Sequence, residues 1–316
     1  MSITLRPLEV TTDLPALLDL LNPYYLEPVT PEQWLKNQGE ELAQGSTLRQ
    51  IVAEHANGAL LGYSLVKREY GTWDPGRLHL WLIVSPPARN RGIGTRLYED
   101  GLRFVSEHNA YRLDTAVRDD DSASLAYAQR RGFAIDRHMF GSRLDVQAFD
   151  ETPFADAIEA AQATGIRFFS MSDLGNTPEA QRKLYELNKY VDGEIPGERV
   201  FPSFEEFSEM VYGSEWYVPD GQIIAADGDR WVGMSAVGYF PQTESMRVMI
   251  TGVESAYRGR KIGMALKLLT HRCARQRGVK HLYTGNDSHN APMLAVNEKL
   301  GYTKLRGTYY LTKLLA

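Results

Sequence analysis

One cysteine in 316 residues, Cys273, leaves no partner for a disulfide and excludes a zinc site built from cysteines. Its place within a helical stretch reads as a small buried hydrophobe. No apolar run approaches the roughly 18 residues that a membrane-spanning helix needs. The amino terminus lacks the basic start and apolar stretch of a secretory signal, so the expected compartment is the cytoplasm. An excess of basic charge is missing too. The 35 Lys and Arg stand against 40 Asp and Glu, a net charge of −5 that is a poor footprint for wrapping nucleic acid. His271, His281 and His289 share no metal-ligand spacing on one element, so no metal is expected. What is present, 43% hydrophobic and 24% charged residues, is ordinary for a soluble globular chain. Its length is about twice that of a common single domain.

The length is explained by duplication. Val84-Ser85-Pro86-Pro87-Ala88-Arg89-Asn90-Arg91-Gly92-Ile93-Gly94 has a counterpart in Val253-Glu254-Ser255-Ala256-Tyr257-Arg258-Gly259-Arg260-Lys261-Ile262-Gly263, 169 residues later. Gly132-Phe133 and Gly301-Tyr302 are 169 residues apart as well. One offset kept at two landmarks means no net insertion between them, which chance matching of a short stretch does not produce. The expected domains are 1–149 and 165–316, joined by an alanine-rich connecting helix over 150–164.

Each copy reads as strand, two helices, three strands, helix, strand, helix and a closing strand pair. In the first copy the leucines of 12–25 predict a helix, Thr30-Pro31-Glu32 a helix start, and 49–54, 60–67 and 78–84 strands. A long helix follows over 92–108, a strand over 111–117, a helix over 122–131 and a terminal hairpin reaching about residue 146. The second copy repeats the order, with Asp227-Gly228-Asp229 as a hairpin turn and a long helix over 261–277.

The chemistry is concentrated where the third of those strands ends and the long helix begins. A helix head leaves about four backbone N–H groups without internal partners and carries roughly half a positive charge. Glycines there let phosphate oxygens approach the amides, and flanking arginines add charge-assisted bonds. Arg89-Asn90-Arg91-Gly92-Ile93-Gly94-Thr95 is therefore read as a diphosphate cradle. It lacks the Gly-Lys-Ser/Thr ending of a nucleotide hydrolase. It also lacks the third glycine of a dinucleotide fingerprint, since Leu97 occupies that place.

Arg89-x-x-Gly92-x-Gly94 after a Val-x-Pro strand end resembles the acetyl-CoA signature of the GCN5-related N-acetyltransferases (GNAT). The later segments Asp121 to Phe133 and Asn290 to Tyr302 are similar to that family's next motif. The resemblance covers most of both halves, as in tandem, mycothiol-synthase-like members. It implies an α/β fold of two tandem acyl-CoA N-acyltransferase domains, each a mixed sheet that splays open and is flanked by helices. It implies acetyl-CoA as cosubstrate, with the pantetheine arm pairing to strand backbone at Leu82, Ile83 and Val84 and at Thr251, Gly252 and Val253. The cradle residues become Arg89 to Thr95, including Asn90, Arg91 and Ile93. In the second copy they are Arg258, Gly259, Arg260, Lys261, Ile262, Gly263 and Met264, with Asn286 and Asn290 beyond.

Both copies depart from the family pattern. Lys261 stands where the first motif glycine is expected, so its ammonium must compensate for lost close approach or that cradle is disabled. The tyrosine that protonates the leaving thiolate in many members is Ala128 in one copy and Asn297 in the other. Tyr127 is one position off, about 100° round a helix. An asparagine can still donate to a developing thiolate, which makes Asn297 a catalytic candidate; Asn286 and Asn290 are equally read as helix caps. Glu254, replaced by Ser85 in the first copy, is either a general base or a solvated turn carboxylate. Asp192 and Glu194, in a Gly/Pro-bearing stretch through Gly197, and Tyr309 on a closing strand are candidates for the acceptor pocket. The reading is transfer of acetyl to a primary amine of a small molecule or peptide, with catalysis in the second copy. The alternatives are an acyl-CoA-binding sensor without catalysis, or catalysis in the first copy alone.

Overall fold

Leu14, Leu17, Leu18 and Leu21 recur at the spacing of an amphipathic helix, and all four are buried on α1 (Val10–Leu21). The computed structural model describes residues 3–24, 28–43, 48–68, 74, 76–194 and 201–315, so residue 25 and residues 195–197 of the expectations above lie outside it. In chain order α1 follows β1 (Ile3–Pro7) and precedes α2 (Pro31–Ala43), β2 (Leu48–His55), β3 (Leu60–Arg68) and β4 (Arg77–Val84). Next come α3 (Ile93–Glu107), β5 (Arg112–Arg118), α4 (Ser122–Gln129) and β6 (Ala134–Asp145). A short α5 (Asp156–Gln162) leads to β7 (Ile166–Ser170), α6 (Pro178–Gly193) and α7 (Phe204–Phe207). The series ends with β8 (Tyr217–Asp227), β9 (Arg230–Phe240), β10 (Ser245–Val253), α8 (Ile262–Gln276), β11 (His281–Asp287), α9 (Ala291–Lys299) and β12 (Thr303–Leu314).

These elements form two compact units, Met1–Asp136 with Tyr309–Ala316, and Arg137–Thr308. The boundaries fall inside β6 and β12, not at the expected cuts after 149 and 164. In the first unit the strand order is β1-β2-β3-β4-β5, closed by residues 309–314. In the second it is residues 303–308 of β12, then β6-β11-β10-β9-β8-β7. Each repeat's last strand thus completes the unit built by the other repeat. The expected terminal hairpins are absent, because β6 and β12 each run straight through 12 residues. Gly307 marks close strand approach, not a turn: a Cβ there would lie 2.6 Å from the Met139 carbonyl oxygen. Nor does the alanine-rich helix connect two domains. Ala157, Ile158 and Ala161 of α5 are buried in the second unit's core with Leu266 and Ala274 of α8.

In the first unit α1 covers one sheet face, where Leu17, Leu20 and Leu21 meet Val52, Tyr63 and Ile83. Ile93 and Leu97 of α3 meet Ile51 and Ala53 in a separate cluster. Arg49 on β2 grips Asp100 on α3 through two hydrogen bonds of 2.7 and 2.8 Å. That guanidinium holds the Asp100 carboxyl below its ordinary range although burial opposes it.

The feature that positions the site is where each sheet opens. β4 and β5 pair in parallel only at Arg77↔Arg112, Leu78↔Leu113 and His79↔Asp114. β10 and β11 pair only at Met246↔Leu282, Arg247↔Tyr283 and Val248↔Thr284. In the first unit the hydroxyl of Thr115 donates to the Leu80 carbonyl at 2.8 Å, taking the place of the next ladder bond. In the second, a bulge between Val248 and Ile250 bends β10 as the ladder ends. Both sheets are therefore mixed and splayed, as the resemblance implied.

The exchanged strand yields a prediction. Residues 309–316 supply the first unit with Leu311, 1% exposed among Leu78, Leu80, Leu113 and Phe133. They also supply the Thr312 hydroxyl, which donates to Asp114 at 2.6 Å. Burying one such leucine is worth about 2–5 kcal/mol, so a chain ending at Thr308 should lose amide-exchange protection in β5 and α3 while β8 and β9 keep theirs. Full protection of β5 in that chain would contradict the exchange.

Candidate functional site

Beyond the opened ladders the two copies build the same turn from different residues. Each last strand residue runs through a one-turn 3-10 segment, Pro86–Ala88 or Ser255–Tyr257, and then into the head of α3 or α8. The turn needs two left-handed residues. The first copy uses Asn90 (φ 61°) and Gly92 (φ 79°), and the second uses Gly259 (φ 80°) and Lys261 (φ 58°). The glycine has moved by two positions, but the backbone path is shared. A Cβ at Gly92 would meet no protein atom within 4 Å, so a side chain there has room. Lys261 uses that room to reach Asp156 at 3.3 Å. No side chain caps either helix, which leaves the first-turn N–H groups of Ile93, Gly94 and Thr95, and of Ile262, Gly263 and Met264, for a ligand.

The motif arginines behave alike. Arg89 donates from Nε to the Val84 carbonyl at 3.3 Å and from its terminal nitrogen to the Tyr24 hydroxyl at 3.0 Å. Arg258 donates to the Val253 carbonyl at 3.2 Å and pairs with Glu194 at 2.7 Å. Their first job is to fasten the strand end, and Glu194 is already engaged in doing so. Arg260 stacks over Tyr257 at 4.9 Å.

Strand direction decides which backbone groups face each gap, since one residue's N–H and C=O point the same way. The Leu80 and Val84 carbonyls are met by Thr115 and Arg89, whereas the Ser85 N–H goes to Leu61 on β3. Leu82 and Val84 therefore face the gap, and Ile83, opposite Tyr63, does not. By the same alternation Thr251 and Val253 face the second gap, while Glu254 N–H bonds Val232 and Gly252 turns toward β9. Ile83 and Gly252 are thus corrected as pairing residues. Gly252 has a packing role, because a Cβ there would sit 2.1 Å from Val191 Cγ1 on α6.

The asparagines divide. Asn290 caps α9, its Oδ1 accepting from Met293 N at 3.3 Å, as Asp121 caps α4 through Ser124 N at 2.9 Å. Asn286 and Asn297 are buried and bonded to each other at 2.8 Å. Their counterparts in the first copy are Val117 and Ala128, so that unit has no such pair. Glu254 is buried at 8% exposure, and its Oε2 accepts from Arg230 at 2.8 Å. Asp192 stands at the end of α6, partly buried. Tyr309 is placed in the first unit, packed against Leu113 and Leu311. Cys273 is buried, and burial pushes its thiol up to about 11.

Arg131 and Ser142 escaped sequence reading, and Tyr127 was noted there only as out of register. Tyr127 points its buried hydroxyl, without a hydrogen-bond partner of normal geometry, at the head of α3, 3.3 Å from where a Gly94 Cβ would be. Burial raises that phenol above its ordinary value. Arg131 lies 3.5 Å over the same ring and bonds Thr95 at 2.8 Å. Ser142, from β6, meets Asn286 at 2.7 Å across 144 residues of sequence, a contact no local pattern signals. The first unit also holds a cavity of about 280 Å³, lined by Trp34, Gln38, Gln50, Tyr63, His79 and Trp81 among others. Burial lowers His79 to about 4, keeping its ring neutral at physiological pH. Among the described residues no group of side chains could hold a metal, and no helix is long and apolar enough to cross a membrane.

The left-handed lysine is testable by itself. An L side chain in this region costs about 1–2 kcal/mol, and glycine's greater freedom in the unfolded chain returns part of that. Lys261→Gly should therefore raise stability by about 0.5–1 kcal/mol in urea titration, and Gly92→Lys should lower it similarly without unfolding the protein. A Lys261→Gly chain less stable than the parent would contradict the shared turn.

Comparison with known proteins agrees with the duplicated geometry. The family model described as Acetyltransferase (GNAT) family matches residues 14–133 and again residues 194–302. A mycothiol acetyltransferase of Segniliparus rotundus is 26% identical over 84% of this chain and 94% of its own length. A GCN5-related N-acetyltransferase of Sphaerobacter thermophilus superposes with a TM-score of 0.66 at 19% identity, covering 99% of this chain and 95% of that one. A tandem GNAT protein from the clavulanic acid biosynthesis pathway gives 0.65 at 21% identity, covering 99% and 98%. With both halves matched to one family model and both sheets opened at the same joint, this chain belongs to the acetyltransferase (GNAT) family as a tandem member, and is an acyltransferase.

Proposed function

We propose that the chain transfers acetyl from acetyl-CoA to a primary amine of a small molecule or peptide, by direct attack in a ternary complex, with the chemistry in the second unit. The observation that carries the reading is the pair of matching left-handed turns, each heading an uncapped helix beside an opened ladder. The diphosphate is held by the first-turn amides, with Arg91 and Arg260 supplying charge. The pantetheine arm extends the sheet along Leu82 and Val84, or Thr251 and Val253, as an added strand does. The second unit is favoured for catalysis because only it carries Glu254 and the buried Asn286–Asn297 pair.

An alkyl amine is mostly protonated at neutral pH, so a base must take a proton before attack. Glu254 is suited to this: Arg230 fixes Oε2, and Oε1 has no hydrogen bond among the described residues. Asp192 places further negative charge near the end of α6 for a cationic acceptor, while Glu194 is paired with Arg258. Direct attack needs no enzyme nucleophile, and the raised thiol of Cys273 is unsuited to be one. We place the enzyme in the cytoplasm.

The first unit's cavity favours a second reading, in which the first unit takes an acceptor of its own. Thiol release from acetyl-CoA, measured over polyamines, aminoglycosides and peptide N-termini, separates the readings. Gly263→Glu, which puts a carboxylate against the phosphates, should lower kcat/KM by about 100-fold or more, a loss of about 3 kcal/mol, while Gly92→Glu leaves most turnover. Loss of turnover with Gly92→Glu alone would move catalysis to the first unit. CoA binding without turnover of any amine would make the chain a sensor.

A further inference from the structure

Inside the second unit three buried polar side chains form a relay of fixed polarity. Asn286 donates from Nδ2 to the Phe140 carbonyl at 3.2 Å and to Ser142 Oγ at 2.7 Å. A main-chain carbonyl only accepts, so these bonds determine which end of the Asn286 amide is nitrogen. Its Oδ1 faces the other way and accepts from Asn297 Nδ2 at 2.8 Å. That bond orients Asn297 in turn and leaves its Oδ1 buried with no partner among the described residues. The three side chains are 4%, 6% and 3% exposed in relay order, so the Asn297 oxygen is shielded from bulk solvent. An orphaned buried acceptor is destabilising, and a ligand N–H placed against it would remove that cost. Asn286 lies two residues past the last β10–β11 pair, Val248↔Thr284, where the ladder has already opened.

We propose that Asn297 works in this gap as a hydrogen-bond acceptor, its Oδ1 receiving an N–H of the amine to be acetylated, with Asn286 and Ser142 as positioning residues that hold it so. The assignment rests on the transferase reading above. It reverses the polarity expected from the sequence, in which Asn297 donates to the departing sulfur. The amide N–H groups of a pantetheine arm already have a strand acceptor in the Thr251 carbonyl; the incoming amine, once Glu254 has taken its extra proton, still needs an acceptor for a remaining N–H. An acceptor that takes one N–H leaves the nitrogen lone pair free to attack the thioester carbon. The C–N bond forms, the C–S bond breaks, and the surplus proton of the amine ends on the sulfur. Val117 and Ala128 carry no amide, so the first unit has no equivalent.

The test uses the full chain, one amine that the wild type acetylates, and CoA affinity measured in parallel by calorimetry. Asn297→Ala should lower kcat/KM for the amine about 10–100-fold, with CoA affinity within about twofold of the parent. Ser142→Ala, which removes the shorter of the two bonds that hold the Asn286 amide nitrogen, should lower it about 3–10-fold, and Ser142→Thr, which keeps the hydroxyl, should restore most of that. In Asn297→Asp the protonated acid can donate to Asn286 and still present a carbonyl oxygen. Activity of that variant should therefore fall as pH rises through the new carboxyl, a limb the wild-type profile lacks. Unchanged kcat/KM in Asn297→Ala, or CoA affinity falling as far as kcat/KM, overturns the assignment. Unchanged kcat/KM in Ser142→Ala overturns the positioning role. A wild type inert toward every amine is a separate failure, which overturns the transferase reading and this inference with it.

Discussion

In each unit a parallel ladder is allowed three residue pairs and then stopped, and the remaining architecture serves that interruption. Stopping a ladder leaves strand N–H and C=O groups without partners, which is tolerable only where side chains, water or a ligand satisfy them. The protein spends side chains on some of them: Thr115 on Leu80, Arg89 on Val84 and Arg258 on Val253. The groups left over, on Leu82 and Thr251, lie between the arginine-held strand end and the last ladder pair. The uncapped helix head sits just past the strand end, so an extended amide chain with a diphosphate tail has its two ends provided for by two neighbouring kinds of unsatisfied backbone.

The exchange of closing strands adds a constraint on the chain as a whole. Because residues 137–145 belong to the second unit and 309–314 to the first, neither repeat holds all the strands of one unit. Ser142 shows what this does for the site. A residue encoded in the first repeat fixes the amide of Asn286 in the second, and so the orientation of Asn297. The duplication has let the two units diverge in chemistry, Asn286 and Asn297 against Val117 and Ala128, while a shared backbone path at the cradle was kept.

Much of this was legible in the sequence. The 169-residue offset, the helix heads and the strand preceding each follow from local spacing, and the structure places α3, α8 and β4 within a residue or two of the expected ranges. Lys261 looked like damage to a glycine motif. The structure shows the turn kept instead, since Lys261 itself takes the left-handed conformation that Gly92 takes in the other copy. The closing strands were misread because β6 and β12 contain glycines, Gly141 and Gly307, that pack against side chains and backbone of neighbouring strands rather than turn. Pairing partners across more than a hundred residues have no local signature, so neither the unit boundaries nor Ser142 was visible. Backbone alternation, which turns Ile83 and Gly252 away from the gaps, needs the register and not the motif.

The central claim is that both helix heads are the same anion-binding device despite their different residues. Titration calorimetry of the full-length chain with CoA addresses it directly, because the cradle is tested without any acceptor. Two molecules of CoA bound per chain is the result this account predicts. A single site that survives Gly263→Glu unchanged, or no heat at millimolar CoA, would contradict it.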